Sequence, residues 1–412
     1  MRAVLALGAV IALATPALAD RVAEPPPPAK AASTTDFTPQ ARALFRLAAC
    51  GSEDAIPARF SAKPIERHCK EMQQLYASYR RAWADQATRF ISALRPADLP
   101  KTVVYPFGGG DLTSALVVFP DATDITTISL EYAGDVRAID TIPKQKLAED
   151  LSTIGGDVRR LYRSAHSTTK SLQAAAQSAL PGTLMFALAG LAVHGMEPVA
   201  LRYFDIQPDG TLRYLSGEEL DGRAAALRNA ETAAVKKAKR RSKHYWQEMH
   251  SAFGNVEIQF RPRADARAPV RTYRHIVANL DDPHLTADAR VLVHLRGKGK
   301  VSVMTKAASF LLWYDEFSKI RGYLLEHMAW MISDASGIPP SHADPAGFEQ
   351  LTYGDFEGPY FVHDEKNVRA QFVKLWKKQP KRALPFRFGY PDQDKQHHML
   401  ITRPKSATAP RP

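Results

Sequence analysis

Cysteine is the scarcest chemistry in this chain: among 412 residues there are two, Cys50 and Cys69, both inside CGSEDAIPARFSAKPIERHC. Two thiolates with only His68 close by fall short of a structural zinc set, and their separation is far from the C-x-x-C of a redox motif. The simplest reading is a Cys50–Cys69 disulfide, which requires an oxidising compartment. Closing a loop of that size contributes on the order of 3 kcal/mol by restricting the unfolded chain. Long apolar runs are missing as well. Leu180–Val193 comes nearest, and Gly182, Gly190 and His194 break it, so no segment reaches the roughly 18 apolar residues of a membrane helix.

Several signatures of chemistry are also absent. Thirteen histidines include no H-E-x-x-H and no H-x-H, which removes the common zinc-enzyme ligand patterns. There is no G-x-S-x-G elbow and no K-T-G. Ser167-Thr168-Thr169-Lys170 does match the S-x-x-K of penicillin-binding proteins and serine β-lactamases, with Ser167 as nucleophile and Lys170 as base, but its companion elements do not follow.

What is present starts with an export pattern. Arg2 supplies a positive n-region, Val4 to Thr15 an apolar h-region, and Ala17-Leu18-Ala19 a cleavage site near Ala19. The residue directly after it is Asp20 rather than cysteine, so a lipid-attached mature terminus is not expected and a soluble periplasmic or secreted protein is. Residues 1–19 read as signal peptide and 20–36 as a linker stiffened by Glu24-Pro-Pro-Pro-Pro-Ala-Lys30. Residues 37–98 read as a helical section carrying the disulfide, 99–404 as an α/β domain and 405–412 as a disordered tail. The formal charge is +12, concentrated in VKKAKRRSKHYW. There Lys236, Lys237, Lys239, Arg240, Arg241 and Lys243 form either a solvated helix face or a docking patch for an anionic envelope component. Nucleic acid is not an expected partner in that compartment, and the sequence leaves the oligomeric state open.

In the helical section Leu44, Leu47 and Ala48 share one face, as do Met72, Leu75, Tyr76 and Tyr79. Beyond Pro100 the pattern alternates. Thr102–Tyr105, Ile125–Leu130, Pro198–Tyr203, Leu212–Leu215, Val256–Phe260, Tyr273–Leu280, Trp330–Ser333 and His398–Thr402 read as strands. Leu112–Phe119, Asp140–Ser178 with a break near Gly155-Gly156, Asp221–Ala252, Phe317–His327 and Asn367–Lys378 read as helices. Gln207-Pro208-Asp209-Gly210 is a hairpin turn. The fold expected is a three-layer, Rossmann-like α/β domain with a mostly parallel or mixed sheet.

VVYPFGGGDLTSALVVFPDATDITTISLE, Val103 to Glu131, carries the sharpest local signal. A strand runs into Gly108-Gly109-Gly110-Asp111, a helix opens, and a second strand closes on Glu131. Such a corner aims backbone N–H groups at a ligand, and Glu131, 23 residues beyond Gly108, is spaced to hold ribose hydroxyls. The segment resembles the first β-α-β unit of Rossmann-like domains, including class I methyltransferases. That resemblance implies Gly108 to Gly110 as a cofactor turn and Glu131 as the ribose ligand. The spacing is not G-x-G-x-x-G, and Asp111 would repel a pyrophosphate. The alternative role is structural, with Asp111 capping the helix and the glycines allowing a sharp corner. A wider likeness, in YPFGGGDLTSALVVFPDAT, TKAASFLLWYDEFSKIRGYLLEHM, SDASGIPP and LPFRFGYP, is to an uncharacterised family of exported bacterial proteins. It implies one integrated domain and an envelope location, with no activity to carry over.

Two further clusters are candidates. WMISDASGIP ends a strand in Asp334 and Ser336, which a parallel sheet would bring to the same edge as Gly108 to Asp111, with Lys306, Ser309, Tyr353 and Asp355 as additional members. RHIVANLDDPH groups His275, Asp281, Asp282 and His284 at a strand end. His397 and His398 are adjacent and point to opposite faces of any strand. The function expected is non-catalytic binding of a small polar or envelope-associated ligand at the strand-end pocket, with no cofactor. The alternative is an enzyme on the same edge, either methyltransferase-like with S-adenosylmethionine or a hydrolase.

Overall fold

In the N-terminal section Pro39 sits in the first turn of α1 (Thr38–Leu47), where its missing N–H costs nothing. Helix α2 (Ala62–Tyr79) buries Ile65, His68, Met72, Tyr76 and Tyr79 along one stripe. A five-residue π-helical turn, Arg80–Ala84, joins it to α3 (Asp85–Leu94) and carries buried Trp83. The expected disulfide links Cys50 to Cys69, with a Cα–Cα distance of 5.2 Å. The computed structural model describes residues 34–164, 180–226, 253–358, 367–388 and 397–405. The expected signal peptide, the Ser167–Lys170 pair and the Lys236–Lys243 cluster lie outside these residues.

The remaining elements build one mixed sheet. The strands are β1 (Thr102–Pro106), β2 (Asp124–Ser129), β3 (Met196–Ile206), β4 (Leu212–Tyr214), β5 (Val256–Pro262), β6 (Arg271–Val277), β7 (Val301–Met304), β8 (Met328–Ser333), β9 (Phe348–Gly354) and β10 (His398–Pro404). Their order is β4-β3-β5-β6-β2-β1-β7-β8-β10-β9. The central five, β6-β2-β1-β7-β8, are parallel, and antiparallel strands flank them on both sides. Helices α4 (Leu112–Val118), α5 (Lys144–Ser164), α6 (Gly182–Val193), α7 (Ser318–His327) and α8 (Val368–Lys378) complete the layers. The described residues form one compact unit.

Strands β1, β7 and β8 read as largely apolar runs because both faces are covered. Side-chain alternation sends Val103, Tyr105, Ile125 and Tyr273 into one core with the N-terminal helices and α6. Val104, Ile128, Ile276 and Val303 enter the opposite core, with Tyr323 and Leu324 of α7. The Gln207–Gly210 hairpin forms as expected, with Gly210 in the left-handed region at φ 82°. Two expectations need correction. Helix α5 runs unbroken through Gly155-Gly156, where two glycines without positive φ continue the helix beside the His68 ring rather than break it. Strand β9 goes unread in the sequence, where FEQLTYG mixes polar and apolar residues without a bounding pattern.

Chain direction then fixes where a site can form. From β1 the chain crosses to β2 on one side, and β7 returns on the other side of β1. The topological switch point therefore lies between β1 and β7, the place where open α/β sheets bind ligands at their carboxyl ends.

Candidate functional site

The glycine corner leaves β1 at this switch point. Phe107 and Gly109 adopt positive φ, 61° and 52°, which turns the chain sharply out of the strand. The corner is packed from within. A Cβ at Gly108 would meet the Tyr105 ring at 2.7 Å, and one at Gly110 would meet the Thr183 carbonyl of α6 at 2.9 Å. Close approach is thus what demands glycine at 108 and 110. The Gly108 N–H bonds the Ile128 carbonyl at 3.1 Å, whereas the Gly109 and Gly110 N–H groups make no backbone hydrogen bond among the described residues.

Asp111 caps α4 by accepting from the Ser114 N–H at 3.0 Å, and its other oxygen accepts from the Tyr105 hydroxyl at 3.2 Å. Lys306, following β7, reaches into the same space. Its Nζ donates to Ser114 Oγ at 3.2 Å and lies 3.9 Å from Asp111 Oδ2. The lysine is almost fully buried, with Nζ 5.6 Å from the Trp83 ring centroid and 5.8 Å from that of Phe388. Burial pushes its ammonium below the ordinary lysine range, and the carboxylates of Asp111 and Asp334 oppose that shift.

Asp334 and Ser336 follow β8 and are buried. Asp334 Oδ1 accepts from the Ser336 N–H at 2.9 Å and from its hydroxyl, which leaves Ser309 to donate to Ser336 Oγ at 2.5 Å. His398 enters from the first residue of β10, whose antiparallel pairing with β8 sets it at this same edge. Its ring lies between Phe356 at 4.9 Å and Trp376 at 6.1 Å. Burial pushes its pKa down to about 4, partly opposed by Asp334. Neither His398 nitrogen has a hydrogen-bond partner among the described residues, and the same is true of Thr305 Oγ1 and Ser333 Oγ at the ends of β7 and β8. Such atoms are costly to leave buried and unsatisfied.

The structure thus gathers Asp111, Lys306, Ser309, Asp334 and Ser336, as the strand ends suggested, and adds Ser114, Thr305, Ser333 and His398. Ser114 is the third residue of an apolar helix, and nothing in its local pattern sets it apart. The other candidates go elsewhere. Tyr353 packs edge-on against Phe90, and exposed Asp355 faces Lys381 at 3.8 Å. Glu131 is half-buried, and its carbonyl accepts from His275 Nε2 at 2.6 Å. His275 accepts from the Thr127 hydroxyl through Nδ1 at 3.1 Å, so it is a satisfied neutral core histidine. It does not join His284, which is exposed beside the helix-capping Asp281. Asp282 accepts from the Lys319 N–H at 2.8 Å.

Beside the cluster a groove of about 560 Å³ opens between α2 and α5. Tyr79, Trp83 and Tyr162 line it together with Ser78, Arg159 and Arg387. Tyr79 and Tyr162 stack at 4.5 Å, and the Trp83 indole N–H donates to the Arg387 carbonyl at 2.5 Å. The Tyr162 hydroxyl and Thr113 Oγ1 are 3.2 Å apart, so this wall joins the helix that Asp111 caps. The π-helical turn sets Trp83 between groove and cluster, a use of extra helical residues that recurs at functional sites.

Chemically, the cluster holds and orients polar groups. Ser114 Oγ accepts from Lys306, beside the carboxylates of Asp111 and Asp334, which oppose the effect of burial on the ammonium. Fold and site together define an α/β protein with a buried polar cluster at its topological switch point. A scan against protein-family models finds no match to the chain, and a search of curated proteins finds none either. No helix among the described residues is long and apolar enough to cross a membrane, and no group of three or more His, Cys, Asp or Glu among them could hold a metal ion.

Proposed function

We propose that this is an exported protein that binds a small polar ligand, without catalysis, at the carboxyl edge of β1, β7 and β8. The observation that supports the reading is that Thr305, Ser333 and His398, at the strand ends that carry Lys306 and Asp334, hold buried polar atoms without a partner among the described residues. Packed interiors satisfy their polar groups, and ligand sites are where they remain open. The groove walled by Tyr79, Trp83 and Tyr162 is the approach, and the Gly109 and Gly110 N–H groups are further donors at the same corner. The disulfide and the N-terminal export pattern support an envelope location, where the ligand would be met. The likeness to exported bacterial proteins agrees with that location.

A thermal-shift screen of polar metabolites and envelope fragments on the oxidised mature chain tests the reading. Stabilisation by a bound compound is expected to vanish in Lys306→Met and in Asp334→Asn, while Glu131→Ala keeps it. Strong stabilisation by S-adenosylmethionine, lost in Glu131→Ala, would instead establish the nucleotide-type alternative. One contact favours a hydrolase: the Lys306 Nζ to Ser114 Oγ distance of 3.2 Å, within reach of a nucleophile and its base. A serine-directed covalent probe that labels Ser114 in the wild type, and not in Lys306→Met, would move the conclusion there.

A further inference from the structure

A second groove, of about 580 Å³, lies at the far end of the sheet between the edge strand β9 and α8. Its base is apolar, with Phe348, Leu351 and Leu375, and its wall is cationic. Lys374 and Lys378 stand one turn apart on α8, exposed and with no ion pair among the described residues. The acids nearby are already neutralised: Asp344 by Lys405 at 2.7 Å and Glu349 by Arg403 at 2.7 Å. The groove therefore keeps a positive surplus.

The free edge of β9 is covered in an unusual way. The Gln379 side-chain amide accepts from the Thr352 N–H at 3.1 Å and donates to the Gln350 carbonyl, so one side chain imitates the peptide group of an adjoining strand. Arg382 continues the cover: its guanidinium donates to the Thr352 carbonyl at 3.3 Å, and its carbonyl accepts from the Gly354 N–H. The alternation that turns these groups outward also turns the Gln350 N–H and the Phe348 backbone outward, along the open half of the groove. An edge of this kind is a template for another strand.

We propose that this groove takes an extended acidic peptide segment of a partner protein, which adds to β9 as an eleventh strand. Its backbone would pair with Phe348 and Gln350 and displace the Gln379 amide. Acidic side chains would lie along Lys374 and Lys378, and alternate apolar side chains on Leu351 and Leu375. Charge alone would suit any polyanion. The backbone groups presented at Gln350 and Thr352 are what favour a peptide.

The test uses the full chain and a fluorescein-labelled peptide of alternating Glu and Val, followed by anisotropy at low ionic strength. Binding is expected, and Lys374→Glu with Lys378→Glu should weaken it by about tenfold. Gln379→Ala, which removes the amide placeholder, should tighten it. A peptide of equal charge with Pro in place of the Val residues should bind far more weakly, because Pro cannot donate to the edge. No binding at all, equal binding of the Pro peptide, weaker binding in Gln379→Ala, or displacement by polyphosphate better than by unlabelled peptide would each overturn the proposal. Circular dichroism of the variants separates lost binding from lost folding. No residue is shared with the strand-end cluster, so either reading can fail while the other stands.

Discussion

Two polar regions lie on the same sheet and are built on opposite terms. Across β3, β5, β6 and β2 runs an ion ladder in which every charge meets its opposite. Arg202 and Arg274 reach buried Glu257 at 2.6 and 2.8 Å, and Arg274 and Lys298 reach Asp124 at 2.5 and 2.9 Å. The Tyr214 hydroxyl adds a third donor to Glu257 at 2.8 Å. At the carboxyl edge, by contrast, Lys306 stands 3.9 Å from Asp111, and His398, Thr305 and Ser333 have atoms without partners. The ladder pairs every charge, leaving only the buried Arg202 Nε without a partner among the described residues, and ties four strands together. The edge cluster lies deeper than the ladder, whose Arg202 and Asp124 side chains stay 26% and 27% exposed, and yet it is the less complete of the two, which is the difference between a polar network that serves stability and one kept for something else.

The largest effect that would break this comparison is in the ladder. Glu257→Ala removes the buried carboxylate that two half-buried guanidinium groups share and should cost about 3 kcal/mol in denaturant unfolding. A loss under about 1 kcal/mol would mean that the ladder is no more integral than the edge. Acid comes next. His398 and His194 are each held down to about 4 by burial, below the ordinary value near 6.5. The unfolded chain binds protons that the folded chain refuses. The stability these residues lend is complete above about pH 6.5 and is lost as pH falls toward 4. Urea midpoints taken across that window should decline in the wild type and decline less in a His398 variant. The smallest effect has the opposite sign. His398→Leu removes two unsatisfied nitrogens from an aromatic surround and should stabilise the fold by about 1 kcal/mol, while abolishing ligand-induced stabilisation at the edge. If the substitution destabilises instead, His398 is an ordinary core residue and the contrast with the ladder dissolves.

Much of the fold was legible because its signals are local. The apolar run Thr102–Tyr105, the glycines and Asp111 announce a strand, a corner and a capped helix, and all three form where expected. Asp334 and Ser336 were legible as strand-end polar residues for the same reason. What local pattern cannot carry is adjacency. Lys306 meets Ser114 only because β7 lies beside β1, and His398 joins them only because β10 runs antiparallel to β8. The glycine corner was legible as a corner, but its tight packing against Tyr105 and Thr183 depends on α6, far along the chain. His275 and His284 are close in sequence and do not meet, since one is buried in the sheet and the other is exposed in the first turn of a helix that Asp281 caps. The π-helical turn at Arg80–Ala84 left no mark in a stretch whose spacing reads as plain helix.

The pairing of β1 with β7 has a temporal consequence. Val103 and Ser302 are about two hundred residues apart, so the corner that emerges early from the ribosome has no companion on that side until most of the polypeptide has been made. Contacts so distant along the chain are slow to form and leave intermediates exposed. The polar edge therefore waits on distant segments: Lys306 arrives with β7, Asp334 with β8, and His398 only with the final strand.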